Sequence, residues 1–282
     1  MMNSLNDASV ARLIEIALIE DIQTGDITSE STIDSEDPAK ATILYKQDGI
    51  VCGLPIARLV FASINSSIDF NTSVKEGSRI EAGTVAAKVK GPAIDILKGE
   101  RVALNFMQRM SGVATLTRKY VKAIEGTGAT ILDTRKTIPG WRILDKYAVR
   151  TGGAKNHRFG LHDMVLIKDN HIAAAGGIKV AVERCLDAIG DRDIRIEVEA
   201  ADMDQVRAVL ECEGVHRIMF DNFTPDLMRE AVELVGNKLE TEASGGINLQ
   251  TVRMYAETGV KYLSVGALTH SATALDISMN IS

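Results

Sequence analysis

Two short runs of sequence decide the fold: Ile194-Arg195-Ile196-Glu197-Val198-Glu199 and Arg217-Ile218-Met219-Phe220-Asp221-Asn222. Each run is rich in apolar residues and ends in polar ones, which is typical of a short strand followed by a functional loop. Further runs of this kind lie at residues 130–136, 164–170, 238–246 and 262–267. The sequence therefore predicts six strands whose carboxyl ends carry polar side chains.

The strand ends recur at an even spacing in the second half of the chain. From Glu199 to Asp221, Ser244 and Gly266 the steps are 22, 23 and 22 residues, the length of one strand, one helix and two short loops. Strands that alternate with helices predict a parallel sheet, and the even step favours closure into an α/β barrel over an open sheet. Because barrel enzymes bind substrates at the carboxyl ends of the strands, the polar residues there form the candidate site.

The first part of the chain has a less regular pattern. Apolar residues at helical spacing predict an amphipathic helix over residues 9–22, and a second helix is predicted at about residues 54–64. Strand-like runs lie at residues 41–45 and 84–89, and glycines punctuate the stretch around them. A third helical pattern covers residues 95–126. This part predicts a smaller α+β domain that the third helix joins to the barrel.

Charge is distributed unevenly on this 282-residue chain, whose formal net charge is −6. Between Arg101 and His171 there are 13 Lys and Arg against 5 Asp and Glu, a local net charge of +8. The overall acidity argues against non-specific nucleic-acid binding, whereas a basic focus on an acidic protein favours capture of a small anion. On composition alone, the basic stretch could equally form an ordinary solvated surface.

The remaining composition predicts a soluble, cytoplasmic protein. No apolar run reaches the length of about 18 residues that a membrane-spanning helix needs, and the first residues lack the pattern of a secretory signal. Cys52, Cys185 and Cys212 are far apart and show no metal-ligand spacing, which fits a reducing compartment. We therefore expect neither a membrane nor a nucleic acid as a partner.

Cations cluster at two of the predicted strand ends. The run Thr134-Arg135-Lys136 directly follows one strand, and Lys168 follows the next. Between them, residues 152–163 form a glycine-rich stretch that predicts a functional loop, to which His157-Arg158 adds two donors. A partly desolvated cation at a barrel mouth needs an anionic partner, and arginine can hold a carboxylate or phosphate with two hydrogen bonds. Plain surface placement of these cations is the competing interpretation.

Carboxylates and small residues follow on the later strands. Glu197 and Glu199 are two residues apart and share a strand face, and Asp221 ends the next strand. They either pair with the cations or bind a hard divalent metal, since Mg²⁺ takes one or two carboxylates plus substrate phosphates. The last two strands end in small residues that would let main-chain N–H groups approach a phosphate, namely Ser244, Gly245, Gly246, Val265, Gly266 and Ala267.

Several blocks of this sequence together resemble the quinolinate phosphoribosyltransferases, or carboxylating nicotinate-nucleotide pyrophosphorylases, a family of type II phosphoribosyltransferases. The blocks that carry the resemblance are residues 20–21, 25–29, 99–105, 133–137, 146–149, 156–158, 163–171 and 265–271. The resemblance implies a smaller N-terminal α+β sandwich domain over residues 1–112 and an incomplete α/β (TIM-like) barrel over residues 113–282, whose last helices could pack back on the first domain. It also implies a homodimer.

The same resemblance implies a reaction, in which phosphoribosyl pyrophosphate and quinolinate give nicotinate mononucleotide, pyrophosphate and CO₂ for NAD synthesis, with Mg²⁺ and no organic cofactor. The family pattern assigns substrate binding to Arg101 of the partner subunit and to Thr134, Arg135, Lys136, His157, Arg158, Lys168 and the six small residues above. It assigns catalysis to Lys136, Lys168, Glu199 and Asp221. The last two are also the implied metal ligands, directly or through water or substrate, and an alignment slip of two residues would exchange Glu199 for Glu197.

Three alternatives stand beside this interpretation. A molybdenum-transport-associated paralogue shares the barrel and would differ in not using quinolinate. Nicotinate phosphoribosyltransferase would use nicotinate and respond to ATP, and a silent anion-binding barrel would lack the complete charged set found here. Ile138, Trp141 and Ala154 depart from the family pattern, and their effect is expected on the loop that covers the site.

Overall fold

The computed structural model describes Leu5 and residues 8–282. The chain divides into two compact units, each discontinuous in sequence. The sandwich unit comprises Met1–Arg118, Thr137–Gly153 and Leu268–Ser282, and the barrel unit comprises Lys119–Lys136 and Ala154–Ala267. The predicted division into residues 1–112 and 113–282 refers to contiguous segments and stays a prediction.

The first part of the chain has the mixed helices and strands that the sequence predicts. Its elements are α1 (Ala8–Ile22), α2 (Ile27–Thr32), β1 (Pro38–Tyr45), β2 (Gly49–Ile50), α3 (Leu54–Ile64), β3 (Asp69–Thr72), β4 (Arg79–Ile80), β5 (Val85–Pro92) and α4 (Ala93–Ala123). The three predicted helices and both predicted strands are confirmed, each to within about three residues at its ends, which is the usual uncertainty of such boundaries.

Strands and helices alternate through most of the second part. The elements are β6 (Thr130–Leu132), α5 (Arg142–Gly152), β7 (Val165–Ile167), α6 (Asp169–Ala175), α7 (Ile178–Ile189), β8 (Ile196–Ala200), α8 (Met203–Leu210), β9 (Arg217–Asp221), α9 (Pro225–Val235), β10 (Glu240–Ser244), α10 (Val252–Ala256), β11 (Tyr262–Ser264), α11 (Ala267–His270) and β12 (Ile277–Ile281). All six predicted strand ends therefore belong to real strands. Among the described helices, none combines the length and the hydropathy needed to cross a membrane.

The sandwich unit is built on an antiparallel sheet with the strand order β12-β1-β5-β3, beside a short β2-β4 pair. Residues of β1 alternate between exposed and more buried positions, which is the pattern of a sheet with one face on a core. That core includes Ile43 and Tyr45 of β1 and Phe61 of α3, all essentially buried. Phe61 also packs on Phe70, with ring centroids 5.8 Å apart.

The barrel unit contains a parallel six-stranded sheet with the order β6-β11-β10-β9-β8-β7. The barrel that the spacing favoured over an open sheet is incomplete, because β6 and β7 form the two edges of the sheet. Beside β6, Lys155 takes the position of a neighbouring strand for one residue only, since its N–H donates to the Ile131 carbonyl at 3.0 Å. The incomplete barrel that the resemblance implied is confirmed.

Candidate active site

Parallel pairing brings the carboxyl ends of the barrel strands to one edge of the sheet, where the predicted site residues lie. Residues 134–136 follow β6, Lys168 follows β7, Glu199 lies near the end of β8, and Asp221 is the last residue of β9. The predicted small residues end or follow β10 and β11. Since barrels use this edge for binding, the fold itself assembles the barrel part of the predicted site.

A buried carboxylate, Asp133, anchors the loop that follows α5. Asp133 is fully buried directly after β6. Its Oδ1 accepts a hydrogen bond from the His157 N–H at 2.8 Å, and its Oδ2 accepts one from Asn156 Nδ2 at 2.6 Å. These bonds hold residues 156 and 157 against the end of β6, so the two cations at residues 135 and 136 and the cation at residue 158 belong to one region.

The cations of this region lie at its exposed side. Arg135 and Lys136 are exposed, and the Lys136 N–H donates to Thr134 Oγ1 at 3.0 Å. Arg158 is half-buried, and its Nη1 donates to the Met164 carbonyl at 3.1 Å. Burial and the positive charge of Arg135 lower the pKa of Arg158. Two guanidinium groups that repel each other at a strand end would both be stabilised by an anion between them.

Lys168 and Glu199 form an ion pair between the ends of β7 and β8, with Lys168 Nζ donating to Glu199 Oε2. The Glu199 side chain is 11% exposed, whereas that of Lys168 is 44% exposed. Glu197 lies one layer deeper on the same strand face and is fully buried. Glu199 is therefore the one of the two carboxylates that contacts a predicted catalytic cation, and its catalytic role stays a prediction.

Beneath the strand ends, buried charges form an interior group. His157 Nε2 lies 2.9 Å from Glu197 Oε2 and 3.4 Å from Glu242 Oε1. Glu242 also accepts a hydrogen bond from Arg217 Nη1 at 2.7 Å and another from Ser264 Oγ. Within the described part of the chain, the histidine and the two glutamates are the one group of such residues with metal-ligand spacing.

The interior group shifts the pKa values of its members. Burial and the charge of Glu242 raise the pKa of Glu197 to about 7. Burial alone would raise the pKa of Glu242, but His157 and Arg217 outweigh it and lower that pKa. Burial opposes charging of His157, yet the adjacent carboxylates of Glu197 and Glu242 outweigh it and raise the pKa of His157 to about 9. Its Nδ1, however, accepts the Arg158 N–H at 2.7 Å, so the neutral ring with its proton on Nε2 fits the backbone best.

The end of β9 is linked to the small residues after β10. Asp221 Oδ2 accepts a hydrogen bond from Asn222 Nδ2 at 2.9 Å, and the Asn222 N–H donates to the Ser244 carbonyl at 2.9 Å. Gly245 and Gly246 follow with φ values of 96° and 63°, both in the left-handed region. Successive main-chain groups in such a conformation form a concave surface that suits a phosphate.

At the end of β11 the residues predicted to bind phosphate differ in how deeply they are buried. Val265 is buried, and its N–H donates to the Leu132 carbonyl at 2.9 Å. Gly266 and Ala267 come next and are partly exposed. The Val265 N–H is therefore already paired, and the phosphate-binding roles of Gly266 and Ala267 stay predictions.

Asp133, Arg217 and Glu242 form the part of this constellation that sequence reasoning missed. The spacing held a usable signal, because Glu240, Glu242 and Ser244 alternate along a strand in the same way as Glu197 and Glu199. Strands of a parallel sheet covered by helices are usually apolar throughout. Polar residues at every second position of such a strand therefore indicate a polar barrel interior.

Arg101, the remaining predicted site residue, belongs to the sandwich unit. It lies on α4 with a side chain that is 59% exposed, and its Nη2 lies 3.8 Å from Glu100 Oε1. Its contact with the site of a partner subunit stays a prediction.

The residues that depart from the family pattern have local structural contacts. Trp141 stacks on Phe106, with ring centroids 4.9 Å apart and an interplanar angle of 16°. Ile138 is 41% exposed, and Ala154 is buried. Their effect on the covering loop stays a prediction.

The sequence matches two family descriptions that together span most of its length. Residues 26–111 match the quinolinate phosphoribosyl transferase N-terminal domain, and residues 113–280 match the C-terminal domain of the same family. The chain belongs to the quinolinate phosphoribosyltransferase family. The resemblance carried by the sequence blocks is thereby confirmed.

Several relatives match this chain over nearly its full length. A Bacillus subtilis (strain 168) protein named probable nicotinate-nucleotide pyrophosphorylase [carboxylating] is 44% identical over 277 residues, covering 98% of this chain and 95% of that protein. The solved nicotinate-nucleotide pyrophosphorylase of Francisella tularensis has a TM-score of 0.95 at 37% identity, covering 99% of this chain and 98% of its own. NadC from Streptococcus pyogenes has a TM-score of 0.94 at 34% identity, with the same coverage.

Proposed function

We propose that this protein transfers the phosphoribosyl group of phosphoribosyl pyrophosphate to quinolinate, with release of pyrophosphate and CO₂, and so makes nicotinate mononucleotide for NAD synthesis. Family membership along nearly the whole chain supports this, as do relatives named as carboxylating nicotinate-nucleotide pyrophosphorylases. The observation that carries the proposal is the Lys168–Glu199 pair at the same sheet edge as Arg135 and Arg158. This edge offers cations to a polyanionic acid and a carboxylate to a sugar.

The cations at this edge of the sheet would bind the acid. Quinolinate carries two adjacent carboxylates, and arginine can hold each with paired hydrogen bonds while lysine acts as a point charge. We assign Arg135 and Arg158 to these carboxylates, with Thr134 as a further donor, and Lys136 and Lys168 to the acid and the pyrophosphoryl group. The ring of His157 faces the interior glutamates, so this residue would form the floor of the site.

The sugar would react beside the carboxylates. Displacement at the anomeric carbon breaks its bond to the pyrophosphate oxygen, whose electron pair departs with pyrophosphate, while the quinolinate nitrogen supplies the pair of the new bond. Positive charge develops on the sugar in between, and Glu199 and Asp221 can stabilise it electrostatically. The small residues after β10 and β11 would hold the 5′-phosphate, so that much of the catalysis would be positioning.

The donors at this edge suit Mg²⁺. Asp221 is a partly exposed carboxylate at the end of β9, and Glu199 lies near the end of the neighbouring strand β8. Such hard oxygen donors, together with substrate phosphates, are the usual ligands of Mg²⁺. We propose that these two residues hold the ion, directly or through water or substrate, and when bound it supplies positive charge against the departing pyrophosphate.

Loss of CO₂ needs no organic cofactor in this scheme. Once the ring nitrogen carries the sugar it is cationic, and it can stabilise negative charge on the adjacent carbon. The bond from that carbon to the carboxylate breaks, its electron pair stays on the ring, and the carbon then takes up a proton. The ring therefore acts as its own electron sink.

We further propose a cytoplasmic homodimer in which Arg101 completes the site of the partner. The exposed position of Arg101 on α4 supports a role outside its own helix. The three cysteines, all within the described residues, are unpaired, which is typical of proteins from reducing compartments. The net charge of −6 supports small anions rather than nucleic acid as ligands.

The decisive experiment is product analysis. Protein incubated with quinolinate, phosphoribosyl pyrophosphate and Mg²⁺ should form nicotinate mononucleotide and CO₂ in equal amounts, and chelation of the metal should stop the reaction. A parallel reaction with nicotinate and ATP in place of quinolinate should remain without product. Product from nicotinate alone, or no product from folded protein in either reaction, would refute the proposal and favour a related activity.

A further inference from the structure

The interior group of His157, Glu197, Glu242 and Arg217 occupies a place where simple stability would favour apolar residues. Glu197 and Glu242 are fully buried, and the side chain of His157 is only 6% exposed. Moving a carboxylate from water into a protein interior costs several kcal/mol, and well-packed apolar residues often do as well or better than a buried ion pair. The presence of two carboxylates at this depth therefore needs a reason other than core packing.

Glu197 is the less satisfied of the two carboxylates. Glu242 accepts hydrogen bonds from Arg217 and Ser264. Both oxygens of Glu197 lack a well-aligned hydrogen bond among the described residues, although His157 Nε2 approaches one of them to 2.9 Å. The ring of His157 is thus the main group that Glu197 can hold.

His157 in turn holds the main chain of the predicted acid-binding loop. Its own N–H donates to Asp133, and its Nδ1 accepts the N–H of Arg158 at 2.7 Å. The imidazole therefore connects the interior carboxylates with the backbone of Arg158 through two ring atoms. If the ring turned away from the glutamates, Nδ1 would lose its alignment with the Arg158 N–H. The backbone of Arg158 would then shift, and its side chain would project from a different position.

We propose that Glu197 and Glu242 are positioning residues for acid binding: they fix the ring of His157, which fixes the backbone of Arg158 and thereby aims its guanidinium group. The proposal rests on the proposed function, because it concerns the same site. Neither glutamate touches the substrate in this arrangement. Glu197 differs in this respect from Glu199, which contacts Lys168 at the strand end.

The test compares Glu197→Gln and Glu242→Gln with Glu230→Gln, which removes a carboxylate from the exposed surface of α9. Glu197→Gln should raise KM for quinolinate about tenfold, the effect of a mispositioned charged contact, while kcat and KM for phosphoribosyl pyrophosphate change less than about threefold. Glu197→Asp, which keeps the charge, should recover part of the loss. Unchanged KM values, or equal rises for both substrates, would overturn the proposal.

A double-mutant comparison separates positioning from general damage. In an Arg158→Ala background, Glu197→Gln should produce no further rise in KM for quinolinate, because the group that it positions is already gone. A full additional rise in that background would refute the pathway through Arg158. Thermal unfolding of each variant identifies any that fail to fold, and Glu242→Gln then serves as the second probe.

A spectroscopic measurement tests the first link without any turnover. In protein with ¹⁵N-labelled histidine, the Nε2–H resonance of His157, identified by its absence in His157→Gln, should change in Glu197→Gln and stay unchanged in Glu230→Gln. An unchanged resonance would refute the contact, and a stoichiometric bound metal lost in Glu197→Gln would make the group a metal site instead. An inactive wild-type protein with the expected resonance would count against the proposed function, not against this contact.

Discussion

Gly245 lies at a point of the candidate site that has no room for a side chain. Its φ of 96° lies in the left-handed region, and a Cβ built there would lie 2.1 Å from Asn222 Oδ1 and 3.0 Å from the Asn222 nitrogen. Asn222 itself has a φ of 58° and donates to Asp221. A side chain at Gly245 would therefore displace the residue that orients a predicted catalytic carboxylate.

We expect Gly245→Ala to lower kcat/KM by about 10²-fold, because a displacement of about 1 Å at a reacting group has an effect of that size. Gly126→Ala is the matched control: its φ is 84°, a Cβ there meets nothing within 4 Å, and the residue precedes β6, at the opposite end of the strand from the site. The left-handed backbone at this position should lower the free energy of unfolding of the alanine variant by about 1–2 kcal/mol, and most of the activity should remain. Steady-state kinetics with urea unfolding of both variants checks this, and equal kinetic losses would contradict the steric argument.

At the scale of residues, the sequence predicts which side chains belong to the site better than it predicts where those side chains point. Lys168 and Glu199 were identified from their strand-end positions, and they contact each other. Glu242 was overlooked although the alternation of Glu240, Glu242 and Ser244 held a signal. Arg217 carried no such signal, because the three residues that follow it on its strand are apolar. His157 was expected at the substrate, and its ring lies against the interior glutamates.

At the scale of elements, the amino ends of β8 to β11 are joined by charges around Glu240. Its carboxylate accepts hydrogen bonds from Arg195 next to β8, from Arg217 of β9 at 3.2 Å and from Lys261 next to β11 at 2.6 Å. Burial opposes ionisation, but the bonds from Lys261 and Arg195 outweigh it and lower the pKa of Glu240 to about 2. This end of the sheet lies away from the site, so its charges should serve stability.

Glu240→Gln should reduce the free energy of unfolding by about 1–2 kcal/mol at pH 7, after allowance for solvent screening. Because the folded pKa lies below the ordinary value of 4.5, the contribution is present above pH 4.5 and disappears as the pH falls towards 2. Urea unfolding of wild type and variant between pH 7 and pH 3 measures this difference, with the exposed Glu233→Gln as the control. A difference that stays constant down to pH 3 would contradict the assignment.

The elements and the incomplete barrel were largely predictable, whereas the position of the gap in the sheet was not. All six barrel strands follow from alternating apolar runs of the expected length. The gap between β6 and β7 depends on the loop that contains Lys155, which pairs with β6 for one residue instead of forming a strand. That outcome comes from Asp133 and its bonds to residues 156 and 157, contacts between residues more than 20 apart that no local pattern contains.

At the scale of the whole chain, each compact unit is built from segments that are separated in the sequence. The strand β12 pairs with β1, bringing Ile281 opposite Ala41, so the end of the chain belongs to the sandwich unit. Composition and spacing predict a smaller first domain and a later barrel, because each has its own local pattern. They cannot predict which late segments return to the first unit, since such pairing depends on long-range contacts.

The proposed dimer makes a quantitative prediction that needs no knowledge of the interface. Arg101→Ala and Lys168→Ala should each be nearly inactive, because each removes a cation from every site. If Arg101 serves the partner's site, a dimer of one chain of each kind has one intact site and one that lacks both cations. Random exchange makes half of the dimers mixed, so an equal mixture should recover about a quarter of wild-type activity.

The same mixture distinguishes the two possible arrangements, because an Arg101 that served its own chain's site would leave every site in the mixed dimer with one defect. Activity would then stay at the level of the separate variants. Native mass spectrometry of differently tagged chains must first establish that mixed dimers form, and activity should follow their fraction as exchange proceeds. Mixed dimers without recovered activity would refute the shared site, while a protein that stays monomeric at assay concentration would refute the dimer itself.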